Sequence, residues 1–135
     1  MVKVLNSNLN EVTVKSFNEL LEIKMPLKLS WKISKAAKEI DSLVKLYGEA
    51  RNKLVQEFSA KDENGKVILA KDENGQEVHN SAKLSDPLGF ELKIKELNEI
   101  ENELIFEPIS ISELEELNVD VQPSIFFNLN FIFKD

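Results

Sequence analysis

The residues best suited to bind something form a row of lysines. Lys24, Lys28, Lys32, Lys35 and Lys38 are spaced four, four, three and three, which brings much of the set onto one helical face. Trp31 sits among them. Ammonium groups attract carboxylates and phosphates, and an indole offers a stacking platform for a base. The candidate anion- or partner-binding set is therefore Lys28, Trp31, Lys32, Lys35 and, further along, Arg51. It could take a nucleotide, a nucleic-acid strand or an acidic protein. The plainer account is a solvated face, or one that pairs with acidic residues of the same chain. The acidic surplus within the chain favours that account.

The acidic counterpart is Glu99, Glu101, Glu103 and Glu107, followed by Glu113, Glu115 and Glu116. Helix capping and solubility account for most of these. A metal site needs converging ligands, and the chain has one His and no Cys. Two Asp-Glu-Asn-Gly segments, at 62–65 and 72–75, have a superficial calcium-loop look. With Gly65 or Gly75 as the sixth loop position, the twelfth is Lys71 or Ser81, where a bidentate Glu is required. They read as turns. His79 stands alone, without a marked nucleophile or orienting group. No phosphate loop, dinucleotide fingerprint, nucleophile elbow or metalloprotease motif occurs. No catalytic residue, metal or cofactor is expected, and the chain reads as a non-enzyme.

A second candidate surface is aromatic. Phe126, Phe127, Phe131 and Phe133 are four of the eight Phe in the chain. Such a cluster covers a core or makes an interface. The core account is the plainer one. The alternative is a contact with another subunit or a partner, since an edge strand can add to another sheet.

Bulk properties set the frame for these residues. The chain has 135 residues and 42% hydrophobic content, enough for one domain with its own core. A chain this size buries only about two-thirds of its unfolded surface, so self-association would help it, and a homo-oligomer is expected. The net charge is −7. Residues 1–61 hold 11 basic and 7 acidic residues, for +4, and residues 62–135 hold 6 and 17, for −11. The halves can attract each other within a fold or between subunits. The acidic total argues against duplex nucleic acid as a partner. No apolar run has the length of a membrane span, and the expected location is the cytoplasm.

The elements that must position these residues follow from periodicity. Val2–Leu5 alternates as a short strand, and Asn6-Ser7-Asn8 is a turn. A helix covers 13–23, with Ser16 and Glu19 at capping-box spacing and Thr13 an equal candidate start. Pro26 opens a long helix over 26–59. Its stripe is Ile33, Ala36, Ile40, Leu43, Tyr47, Ala50 and Leu54. The Asn-Gly turns then place a β-hairpin at 65–80. Asp86-Pro87 starts a helix over 86–103, long enough to return along the first and occupy its stripe. Residues 104–135 form an extended and short helical segment, with a capping-box start at Ser112 and Glu115. Alternation over 125–133 favours a strand, but Pro123 with Ser124 could equally start a helix. The expected fold is α+β and mostly helical: an antiparallel long-helix hairpin with a small β-hairpin at its tip and short terminal segments.

The order of segments also carries a resemblance. KMPLKLSWKISKAAKEID at Lys24–Asp41, YGEARNKLV at Tyr47–Val55, the KDENG turn and FEPISISELEEL at Phe106–Leu117 resemble a family of small proteins encoded by phages and prophages of low-GC Gram-positive bacteria. The resemblance covers most of residues 15–120. The Phe- and Asn-rich tail departs from the acidic helical end of that family. The resemblance implies a phage origin and an accessory or structural role, and it carries over no catalytic residue. The expected function is binding, as a structural, assembly or protein-interaction module, in the host cytoplasm or on the virion. The alternative is an anti-defence protein that inhibits a host protein or sequesters a nucleotide signal. A nucleotide trap should gather several of Lys28, Trp31, Lys32, Lys35 and Arg51 around one pocket at a subunit interface, whereas a structural protein should show an extended apolar contact surface and no such pocket.

Overall fold

The computed structural model describes residues 2–134, without the side chains of residues 79 and 80. The elements are β1 (Val2–Leu5), α1 (Glu11–Glu22), α2 (Leu27–Phe58), β2 (Leu69–Lys71), β3 (Glu77–Ala82), α3 (Pro87–Asn98), β4 (Glu101–Leu104), β5 (Ile109–Ser110), α4 (Ile111–Glu116), α5 (Pro123–Asn128) and β6 (Phe133–Lys134). The protein is mixed α+β and mostly helical. The chain divides into two compact units. One holds residues 1–47 and 99–135, and the other holds 48–98.

The first unit owns the hydrophobic core. Leu29, Ile33, Ala36 and Ile40 on α2 are buried in one cluster with Val2, Val4, Phe17, Leu20, Leu104, Ile109, Leu114, Ile125, Leu129 and Ile132. Burying each large aliphatic side chain contributes about 1.5–3 kcal/mol relative to exposure. The terminal segments and α1 therefore share the cluster with this part of the α2 stripe. No residue of α3 is buried, so the expected occupant of the stripe is not what builds this core. The expected helix over 86–103 ends at Asn98, and residues 101–104 form a strand instead. The spacing of Ile94, Leu97, Ile100 and Leu104 fits a helix locally. Pairing with β1 prevails, because it puts Leu104 opposite Val2 in the core.

Helix starts show a similar contest. Asn10, in extended conformation, caps α1 by accepting a hydrogen bond from the Thr13 N–H at 3.1 Å. Ser16 is not the cap: it is buried, and its hydroxyl accepts from Asn128 Nδ2 at 3.0 Å. Asn caps as well as Ser, and its earlier position starts the helix at Glu11. At α4 the chain offers the same Ser-x-x-Glu spacing twice. Ser110 rather than Ser112 caps the helix, accepting from the Glu113 N–H at 3.4 Å, because Ile109–Ser110 are already extended in β5.

The tail resolves as helix first, strand last. Pro123 sits in the first turn of α5, where its missing N–H costs nothing. α5 packs on α1, a 3-10 turn covers Asn130–Ile132, and β6 runs parallel to β5, pairing Ile109 with Phe133.

The second unit is held by turns and backbone pairing. Asp62 Oδ1 accepts from the N–H groups of Asn64 and Lys66, and Asp72 Oδ1 does the same for Asn74 and Gln76. Gly65 and Gly75 take φ of 79° and 78°, which glycine adopts without a Cβ penalty. The two ten-residue repeats thus build the same turn twice. Beneath them three segments bond in a ring. Ala60 N–H donates to the Lys83 carbonyl at 2.7 Å, Lys83 N–H to the Ile68 carbonyl at 2.7 Å, and Ile68 N–H to the Ala60 carbonyl at 2.8 Å. The hairpin proper pairs β2 with β3 and spans 69–82 rather than 65–80.

Candidate functional site

The geometry of β4 creates a groove in the first unit that combines depth with charge. Asn6 N–H donates to the Ile100 carbonyl at 2.9 Å. In this antiparallel register, residues 100, 102 and 104 therefore bond to β1, and residues 101, 103 and 105 aim their backbone groups the other way. The Ile105 N–H leaves the sheet and is accepted by Glu39 Oε1 of α2 at 3.0 Å. A carboxylate capping an edge N–H is one way a small sheet avoids pairing with another chain.

Between α2 and residues 105–107 lies a groove of about 580 Å³. One wall is Lys32, Lys35, Lys38, Glu39 and Ser42, and the other is Ile105, Phe106 and Glu107. The helical wall follows from the three- and four-residue spacing of its members. The other wall is extended because Pro108 disfavours a helical Glu107. Ile105 is 85% exposed, while Phe106 packs on the core with one side. Lys32 Nζ lies 3.9 Å from Glu107 Oε2 across the groove, a solvent-exposed pair worth at most about 1 kcal/mol. Among the described residues, Lys35 and Lys38 have no carboxylate partner. The groove thus offers two free ammonium groups beside an exposed aliphatic side chain.

The lysine row is only partly gathered here. Lys32 and Lys35 line the groove. Lys28 and Trp31 do not, and Trp31 is 66% exposed beside Leu27 at 84%. Arg51 belongs to the other unit. The aromatic set divides too. Phe126 and Phe133 meet at a tilt of 56° with ring centres 4.7 Å apart, and Phe131 meets Phe17 edge-on at 6.3 Å. All three are packed against the core. Phe127 alone of the four is exposed, at 81%. The sequence reading missed Glu39, Ser42, Ile105, Phe106 and Glu107, and left Lys38 out of the site. Glu39 could have been found, since it lies four residues after Lys35 on the same face. Ile105–Glu107 depend on a strand pairing across almost the whole chain.

Among the described residues, no group of three or more His, Asp or Glu is placed to hold a metal ion, and no helix is long and apolar enough to cross a membrane. The His79 side chain lies outside the described residues. No family model, curated protein or solved structure matches this chain.

Proposed function

We propose that this chain acts by binding rather than by catalysis, as a protein-interaction module of phage or prophage origin, working in assembly or structure within the host cytoplasm or on the virion. The observation that carries the binding role is the groove between α2 and residues 105–107. It combines free cationic groups with an exposed aliphatic wall, the mixture by which a protein segment is held. The phage origin rests on the sequence resemblance alone. An antiparallel pairing of α3 with the last turns of α2 belongs to the same reading. The Phe58–Phe90 edge contact at 5.9 Å and the Ser85 N–H bond to the Phe58 carbonyl support it.

An anti-defence protein that inhibits a host protein would use the same groove. Sequestration of a nucleotide has less support. Glu39 and Glu107 sit among the lysines, and the Ile105 N–H, the backbone donor turned toward α2, is already taken by Glu39.

Native mass spectrometry of the tagged chain, recovered from infected and uninfected lysates of a low-GC Gram-positive host, tests the proposal. A protein partner retained in defined stoichiometry is the expected result. A bare monomer in both lysates contradicts it, and a retained nucleotide shifts the assignment to the signal trap.

A further inference from the structure

We infer that the partner presents to this groove an acidic segment carrying apolar side chains. The inference rests on the binding role just proposed and names the chemistry of the occupant. Three features of the groove select it. Lys35 and Lys38 are exposed and unpaired among the described residues, so they supply uncompensated positive charge. Ile105 is 85% exposed and Phe106 half-buried beside it, so an apolar side chain laid there leaves water. The groove already holds carboxylates of its own: Glu39 on the Ile105 N–H at 3.0 Å, and Glu107 facing Lys32 at 3.9 Å. The Lys32–Glu107 pair is the kind of contact that a ligand carboxylate would make with Lys35 or Lys38.

Other occupants fit less well. A phosphate ligand would find no free Ile105 N–H and would leave the exposed Ile105 side chain uncovered. A second copy of this chain brings an acidic half of −11 but a net charge of −7 against −7, so long-range repulsion opposes the approach, and sedimentation tests this occupant. A foreign acidic segment on a less charged protein meets the lysine wall without that opposition. The volume of about 580 Å³ is that of a cleft for a drug-sized ligand, about 300–1,000 Å³, which is room for a few side chains.

The test is fluorescence anisotropy on the full chain with a short labelled peptide of alternating Glu and Leu. Comparison probes are the same peptide with Lys for Glu, the same peptide with Ser for Leu, and ATP as competitor. The Glu–Leu peptide is expected to bind, the Lys–Leu peptide not to bind, and the Glu–Ser peptide to bind more weakly. Lys35→Glu with Lys38→Glu should weaken the Glu–Leu peptide by about tenfold or more, since reversed charges repel. Ile105→Ser should weaken it too, and this change at an exposed position leaves the core intact. Lys35→Gln with Lys38→Gln serves as the milder variant, with circular dichroism confirming the fold. The inference is overturned by three results: equal binding of the Lys–Leu peptide, no effect of the lysine variants, or displacement by ATP at comparable concentration. It is also overturned if the Glu–Leu peptide fails to bind, and a dimer in sedimentation that the lysine reversals dissolve then assigns the groove to a second copy. A lysate partner cross-linked outside the groove would leave the binding role standing and remove only this inference.

Discussion

The two units reach order by different means. Residues 1–47 with 99–135 contain every buried apolar residue among the described ones, while residues 48–98 contribute a single buried residue, Ser59. The first unit is a packing problem, solved by side chains brought together from both ends of the chain. The second is a local problem, solved by Asp-capped turns, left-handed glycines and a ring of backbone bonds. The proposed binding role follows the first unit, because its core holds a groove wall made of a helix against one made of residues some seventy positions away.

Deleting core volume should therefore separate the units most strongly. Leu104→Ala removes a side chain with 0% exposure, and the expected loss is about 2–5 kcal/mol by urea unfolding. Val67→Ala in the second unit, at 44% exposure, should cost below about 1 kcal/mol. Equal losses would break the comparison. A smaller effect is expected where a side-chain acceptor is removed. Asp72→Ala frees the Asn74 and Gln76 N–H groups, and Asn10→Ala frees that of Thr13. Each should cost about 1 kcal/mol. Amide hydrogen exchange sharpens the contrast: Asp72→Ala should speed exchange within 59–84 and leave α1 unchanged. Surface ion pairs should matter least. Lys3→Ala, which removes the exposed 3.3 Å pair with Glu101, should change stability by less than about 1 kcal/mol.

Local patterns announced local structure. The β1 strand, the long helix and the second Asn-Gly turn all stand close to where periodicity and turn chemistry place them, because each is settled by neighbouring residues. Ser16 and Ser112 mislead for the opposite reason: several residues satisfy the capping rule, and Asn10 and Ser110 take the role through what precedes them. The end of α3 is legible only with β1 in view, since Val2–Leu5 pulls Glu101–Leu104 out of helical spacing. The candidate site inherits that limit. Its lysine wall is visible as spacing, and its Ile105–Glu107 wall exists only once the chain ends have met. The aromatic tail shows the same division, with Phe126, Phe131 and Phe133 drawn into the core and Phe127 left in solvent.

Binding through the first unit is the central claim, and chemical-shift mapping on the isotope-labelled chain tests it most directly. On titration with the Glu–Leu peptide, the backbone amides of Lys35, Lys38, Glu39, Ile105 and Phe106 should shift together, with residues 59–84 unmoved. Shifts concentrated in the hairpin turns or around Phe127, with the groove amides unchanged, would contradict it.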